Sequence, residues 1–266
     1  MVRPVLILSG AAVGWSDHGA GEVAAHISTR LGPGSVLVVG TFELAAGIWA
    51  HRIDGGRAST TVMLPDGNSI HSGGVGAVLN LAQSLPAVGF VAATEKDHDF
   101  ATAEMQALFI SFLQSFDCTV INGVDGQFPL GMWSPRRWAT LAHRCGIPTQ
   151  PNSVATGTRL LPRSEPVSVG RMPLTVAVVM VVGELVIGDV SIGRAEQCRN
   201  LARLASCDLL GLTFDAGPDG VLLHVEPTPV LSGAAAEAVA ALLCQRAAAP
   251  TAAISYLGNP PVVNAS

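Results

Sequence analysis

Lysine is almost missing from this chain: in 266 residues it occurs once, at Lys96. Charged residues make up 13% of the sequence, the formal net charge is −5, and the arginines are scattered apart from Arg136-Arg137. Neutralising a nucleic-acid backbone takes clustered Lys and Arg, so nucleic acid is excluded as a partner. Neither a GxGxxG nor a GxxxxGK[ST] loop is present, which argues against a dinucleotide or P-loop site. The five cysteines, at positions 118, 145, 198, 207 and 244, include no C-x-x-C pair. An odd count without paired spacing reads as free thiols in a reducing compartment, not as a disulfide framework or zinc site. The longest apolar run, Leu174 to Val182, is far too short for a membrane span. The opening MVRPVLILSG has too short an apolar run and too little positive charge for a signal peptide. The expectation is a soluble, cytoplasmic protein that does not enter a membrane.

What the chain does have is apolar residues, 49% of the total, enough for a large core and an uncharged surface that favours a buried partner or self-association. Val5 to Ser9 is a compact apolar run typical of a buried parallel strand. Glu22 to Arg30 places Val23, Ala24 and Ile27 on one helical face, and Ser35 to Gly40 reads as a second strand. This β-α-β order implies a parallel sheet. The loop Trp15-Ser-Asp-His18 leaves the carboxyl end of the first strand, where open α/β sheets bind ligands. Asp17 is read first as the cap of the next helix; an acid/base pair of Asp17 and His18 is the competing reading.

Trp49 to Ile53, Thr60 to Leu64 and Ser69 to His71 read as short strands, the last two joined by a Pro65-Asp-Gly-Asn68 turn. Gly73-Gly-Val-Gly76 precedes an expected helix over Ala77–Ser84. A glycine-rich helix entry can receive phosphate, but without a lysine or hydroxyl in the loop it reads as close packing or flexibility. A long helix is expected over Asp97–Phe116 and a strand over Thr119–Ile121. Ser134 with Pro135 opens a helix over Arg136–Arg144 that Gly146 closes. Val176–Val182 and Leu185–Val190 form a hairpin around Gly183-Glu184, and Gln197–Ala205 is a helix. Leu209–Phe214 and Val221–Val225 form a second hairpin around the turn Ala216-Gly-Pro-Asp-Gly220. Pro227 and Pro229 stop the strand, and Ser232 is the expected N-cap of an alanine-rich helix, Gly233 to Arg246. Period-two alternation carries His224 and Glu226 out of this hairpin on one face, a place suited to holding a cation. The Pro/Asn/Ala-rich residues 251–266 are expected to be a disordered tail.

Three stretches in order carry a family resemblance. CTVINGVDGQFPLGMWSPRRWATLAHRCGIPTQPNSVAT spans 118–156, MPLTVAVVMVVGELVIGDV spans 172–190, and LGLTFDAGPDGVLLHVEPTPVLSG spans 210–233. Together they resemble the ATP-grasp superfamily, in particular the glutathione-synthetase-like carboxylate–amine ligases that modify ribosomally made peptides. The resemblance implies an N-terminal Rossmann-like parallel-sheet domain (1–125), then a reduced α+β ATP-grasp domain (126–250). It implies ATP and Mg²⁺ as cofactors, with an acyl phosphate formed on a substrate carboxylate and attacked by an amine. It puts the metal site at Asp215, His224 and Glu226, since the family's Glu-x-Asn falls on His224-Val225-Glu226 and its upstream acidic ligand on Thr213, with Asp215 two residues on. Arg171 and Arg194 correspond to the family's arginine beside the reacting carboxylate. The family's small ATP-binding lobe belongs between Thr156 and Leu174, where this sequence has only a short, proline-containing connection, and the phosphate-holding lysines are missing with it.

The leading expectation is therefore a degenerate ATP-grasp-like binding or scaffold protein, pairing with itself or with a partner protein or peptide. The second is a working ligase with a shortened lobe, completed by Arg159, Arg163, Arg171 or a partner subunit. The third is an unrelated α/β enzyme with Asp17 and His18 at its site.

Overall fold

The computed structural model describes residues 3–10, 17–125, 128–129, 133–150, 176–215 and 220–249. The chain runs β1 (Val5–Ser9), α1 (Ala20–Leu31), β2 (Val36–Gly40), α2 (Thr41–Ala45), β3 (Ile48–Asp54), β4 (Arg57–Met63), β5 (Ser69–His71) and β6 (Ala77–Asn80). It continues through α3 (Glu95–Gln114), β7 (Thr119–Ile121), β8 (Val124–Asp125), β9 (Phe128–Pro129) and α4 (Pro135–Arg144). The last elements are β10 (Val176–Val182), β11 (Leu185–Ile187), α5 (Ile192–Leu204), β12 (Leu209–Asp215), β13 (Leu222–Glu226) and α6 (Ala234–Ala248). Two short 3₁₀ turns, Ser72–Gly74 and Val88–Phe90, lie among the loops.

The first sheet is parallel, in the order β2-β1-β6-β7. β1 is buried along its whole length because it is covered on both faces, as its unbroken apolar run requires. The stretch from Ala77 to Ser84 is not the expected helix: Ala77–Asn80 is β6, all four residues buried, paired to β1 and β7. A short run that is apolar all round has the same pattern in a buried helix and a buried strand, and here pairing decides. Gly76 leads into it at close quarters, since a β-carbon there would sit 2.9 Å from the Arg3 carbonyl oxygen. That makes close packing the role of this glycine. Between β2 and β6 the chain makes the antiparallel sheet β3-β4-β5, which packs against α3.

The second four-stranded sheet is antiparallel, β11-β10-β12-β13. Alternation splits its two faces. Val179, Val181, Leu210, Leu212 and Phe214 pack under α4 and α5 with Trp138 and Cys198. Met180, Val182 and Leu209 face the other way, into a core shared with β1, β6, α1 and α6. α5 starts at Ile192, capped by the Ser191 hydroxyl accepting from the Arg194 N–H, five residues before the expected start. α6 is capped differently from expectation too. Gly233, not Ser232, holds the N-cap position, with no side-chain cap bond of its own. The Gly233 N–H donates to Glu22 Oε1 of α1 at 2.7 Å. A carboxylate at a helix N-terminus satisfies an open N–H and opposes the positive end of the dipole. Among the described residues no helix is long and apolar enough to cross a membrane.

Candidate functional site: the outer edge of β13

The register of the second hairpin builds the site. Thr213 pairs with His224 and Gly211 with Glu226, with a bulge between Thr213 and Phe214. Thr213 and His224 therefore share the face opposite to Phe214. His224 Nε2 lies 3.5 Å from Glu226 Oε2, so the expected one-face placement of this pair holds. The Glu226 carboxylate is fixed by the turn that follows: Oε1 accepts from the Thr228 N–H at 3.1 Å and from its hydroxyl at 3.0 Å. Pro227 and Pro229 hold that turn, and Thr228, itself buried, receives a long hydrogen bond of 3.4 Å from Gln83 Nε2 of the first sheet's loop.

Beside this pair lies a cavity of about 380 Å³. β13 from Leu222 to Pro227 forms one wall; Trp133, Pro135 and Trp138 at the start of α4 form the other, with Gln83, Thr149 and Gln150 at the ends. Thr149 forms a parallel bridge to Leu222, and the Leu222 N–H donates to the Pro148 carbonyl, which ties the α4 segment to the strand's outer edge. The indoles of Trp133 and Trp138 pack with centroids 4.8 Å apart, and the Arg137 guanidinium carbon lies 3.4 Å from the Trp133 ring centroid. Sequence reasoning missed this wall. Trp138 belongs to the buried stripe it forms with Ala142, but nothing local places α4 against a strand some ninety positions later.

The other expected site residues are not gathered here. Asp215 ends β12, two residues beyond Thr213. Arg194 is buried in the first turn of α5; its guanidinium lies 5.2 Å from the Phe214 ring centroid and donates to the Gly220 carbonyl at 3.4 Å. Because Phe214 faces away from His224, the sheet stands between Arg194 and the His224–Glu226 pair. Arg171 lies outside the described residues, as do the connection containing Arg159 and Arg163 and most of the 216–220 turn. Among the described residues no three His, Cys, Asp or Glu side chains converge as a metal site. Magnesium is held by one or two protein carboxylates, with nucleotide oxygens and waters completing its octahedron; at this edge the described residues offer one carboxylate, Glu226, with Oε1 engaged by Thr228, beside an imidazole that suits a softer metal.

The Asp17–His18 loop is accounted for separately. Asp17 Oδ1 accepts from the Gly19 N–H and Oδ2 from the Gly21 N–H, both at 2.9 Å. Asp17 thus satisfies two open N–H groups at the start of α1 from two residues before its N-cap, Gly19, in line with the first of its two expected roles.

The chain matches no protein-family model, and no curated protein matches it. Solved structures do match. An ATP-grasp ligase from Chryseobacterium gregarium associated with ribosomally made, modified peptides, in complex with ADP and a leader and core peptide, superposes with a TM-score of 0.65 at 12% identity. The match covers 93% of this chain and 98% of that one. The macrocyclase MdnB of Microcystis aeruginosa gives 0.63 at 15% identity, over 91% and 99% of the two chains. The ATP-grasp ligase PsnB, complexed with a minimal precursor, Mg and ADP, gives 0.59 at 17% identity, over 91% and 96%. The chain therefore has the fold of the peptide-modifying ATP-grasp ligases.

Proposed function

We propose that this chain is a degenerate ATP-grasp-like protein that acts as a binding or scaffold partner in a peptide- or small-molecule-modifying pathway. In this reading it has no ATP-dependent ligase activity of its own. The observation that carries this is the pairing of Thr213 with His224 beside Glu226. At the edge where the fold's ligases are expected to use acidic and amide oxygens, the described residues of this chain set a hydroxyl, an imidazole and one carboxylate that Thr228 engages. Lys96, the only lysine, is exposed in the first turn of α3 and so far along the N-terminal half that it lines no part of the cavity. The fold match to ligases solved with leader, core and precursor peptides supports a peptide as the partner. A second copy of this chain is the other partner we propose, and the exposed Val176 and Val178 in the first half of β10 favour it.

Calorimetry of ATP with magnesium, with Glu226→Ala alongside, tests this reading. We expect no binding up to millimolar nucleotide. Micromolar binding lost in Glu226→Ala would establish the second reading, a working ligase with a shortened or partner-completed nucleotide lobe. That second reading draws on the near-complete coverage of a ligase solved with ADP and of a macrocyclase, and on the cavity beside Glu226.

A further inference from the structure

We infer that the cavity along β13 is a receptor for an organic cation, the ammonium or guanidinium end of a basic side chain presented by a peptide, with Glu226 as its counter-ion. This rests on the peptide-binding reading above and names the chemistry that the same site selects. Among the described residues the cavity lining contains no lysine or arginine, one carboxylate, and two indoles. One carboxylate in an aromatic-lined cavity, with no other described carboxylate in the lining, is matched in charge by a monovalent organic cation. Such a ligand needs one strong charge-assisted hydrogen bond and a ring face, not a six-oxygen shell. Glu226 is prepared for that task. Its Oε1 is held by both Thr228 donors, which aims the carboxylate, and among the described residues Oε2 meets His224 at 3.5 Å, a long and easily displaced contact. The volume, about 380 Å³, admits a long aliphatic stem along Leu222 and Val225. The Trp133 ring already supports one cation, the Arg137 guanidinium at 3.4 Å from its centroid, with the Trp138 ring packed 4.8 Å away. Trp133, 8% exposed, also has an indole N–H with no hydrogen-bond acceptor among the described residues, a donor suited to a carbonyl of the incoming peptide.

The test is a titration of the full chain with the blocked tripeptide acetyl-Ala-Lys-Ala-amide against its neutral isostere, in which norleucine replaces lysine. Tryptophan indole N–H signals are followed by NMR. The lysine peptide should bind at least about tenfold more tightly. Glu226→Gln, which keeps size and the Thr228 contacts, should bring the two peptides to within about twofold. Trp138→Phe should weaken the lysine peptide while leaving Glu226 in place. Equal affinities for the two peptides in the native chain, or a lysine preference that survives Glu226→Gln, would overturn the inference. Displacement of the lysine peptide by millimolar magnesium would overturn it as well, since Glu226 would then be a metal ligand. If both peptides bind equally while ATP with magnesium does not, the cation site fails and the scaffold reading stands. If ATP with magnesium binds at micromolar concentration through Glu226, the scaffold reading fails instead.

Discussion

Gly19 and Leu231 touch backbone to backbone. Gly19 sits at φ 81°, and the Leu231 N–H donates to the neighbouring His18 carbonyl at 2.9 Å. A β-carbon on Gly19 would overlap the Leu231 carbonyl oxygen and lie 2.7 Å from its carbonyl carbon. Only glycine tolerates both the left-handed backbone and this approach. Gly19→Ala should lower stability by at least about 2 kcal/mol in urea denaturation, from backbone strain plus the forced retreat of the 227–231 turn. A shift of only a few tenths would mean that the turn yields freely.

Asn122 joins the two halves of the molecule. It is buried at φ 55°; its amide donates to the Pro227 carbonyl and its own carbonyl accepts from Asn80 Nδ2 at 2.9 Å. Asn122→Ala should cost about 2–4 kcal/mol, the sum of an unsatisfied buried carbonyl and a left-handed alanine. Asn122→Gly removes the same hydrogen bond but not the backbone fit, so its cost should be smaller by about 1 kcal/mol. Equal losses in the two variants would show that the backbone conformation contributes nothing.

Three thiols should resist alkylation until the chain unfolds. Burial pushes Cys207 up from its ordinary 9.0 to about 12, with Asp208 adding to the shift against the Leu209 hydrogen bond. Burial, then Asp117, pushes Cys118 to about 12, and burial pushes Cys198 to about 11. Only a thiolate reacts, so these three should remain unmodified by a thiol reagent at pH 8 in the native protein. The linkage sign follows. The folded chain holds these protons more tightly than the unfolded one, so the contribution to stability is full below pH 9 and is lost as pH rises through the folded values near 11 to 12. Urea midpoints at rising pH should fall over that window, and Cys207→Ala should flatten the fall.

His51 carries its proton on Nδ1 when neutral. The Ser115 hydroxyl donates to the Phe112 carbonyl at 2.7 Å, so Ser115 Oγ accepts from the Thr60 hydroxyl at 2.9 Å. Thr60 Oγ1 must then accept from His51 Nδ1–H at 2.7 Å, leaving Nε2 to accept from Ser111 at 2.8 Å. Nitrogen-15 spectra of the imidazole should show this tautomer, and Ser115→Ala, which frees the chain of donors, should let the other tautomer appear.

Local patterns carried most of the fold. The unbroken run at β1, the Ser134-Pro135 start of α4 and the alternation of His224 with Glu226 are each decided by neighbours in sequence, and each stands as expected. What failed was decided by distant partners. Ala77–Asn80 is a strand because β1 and β7 flank it, and α6 takes its cap from Glu22, some two hundred residues earlier. Gly193 weakens the first turn of α5 and hid a start that Ser191 nevertheless caps. The candidate site follows the same division. His224 and Glu226 were readable from one strand, while Trp133, Trp138, Gln83 and Thr228 meet them only through tertiary packing.

α6 forms the common wall of both sheets, packing Ala236, Val239 and Leu243 against Val5, Ile27 and Leu79 on one side and Met180 and Val182 on the other. During synthesis the parallel sheet emerges long before that wall exists. Its apolar face lacks its cover until residues 234–248 leave the ribosome, so the core shared by the two halves is completed only once α6 has been made. Until then that apolar face is the part of the nascent chain open to non-native contacts.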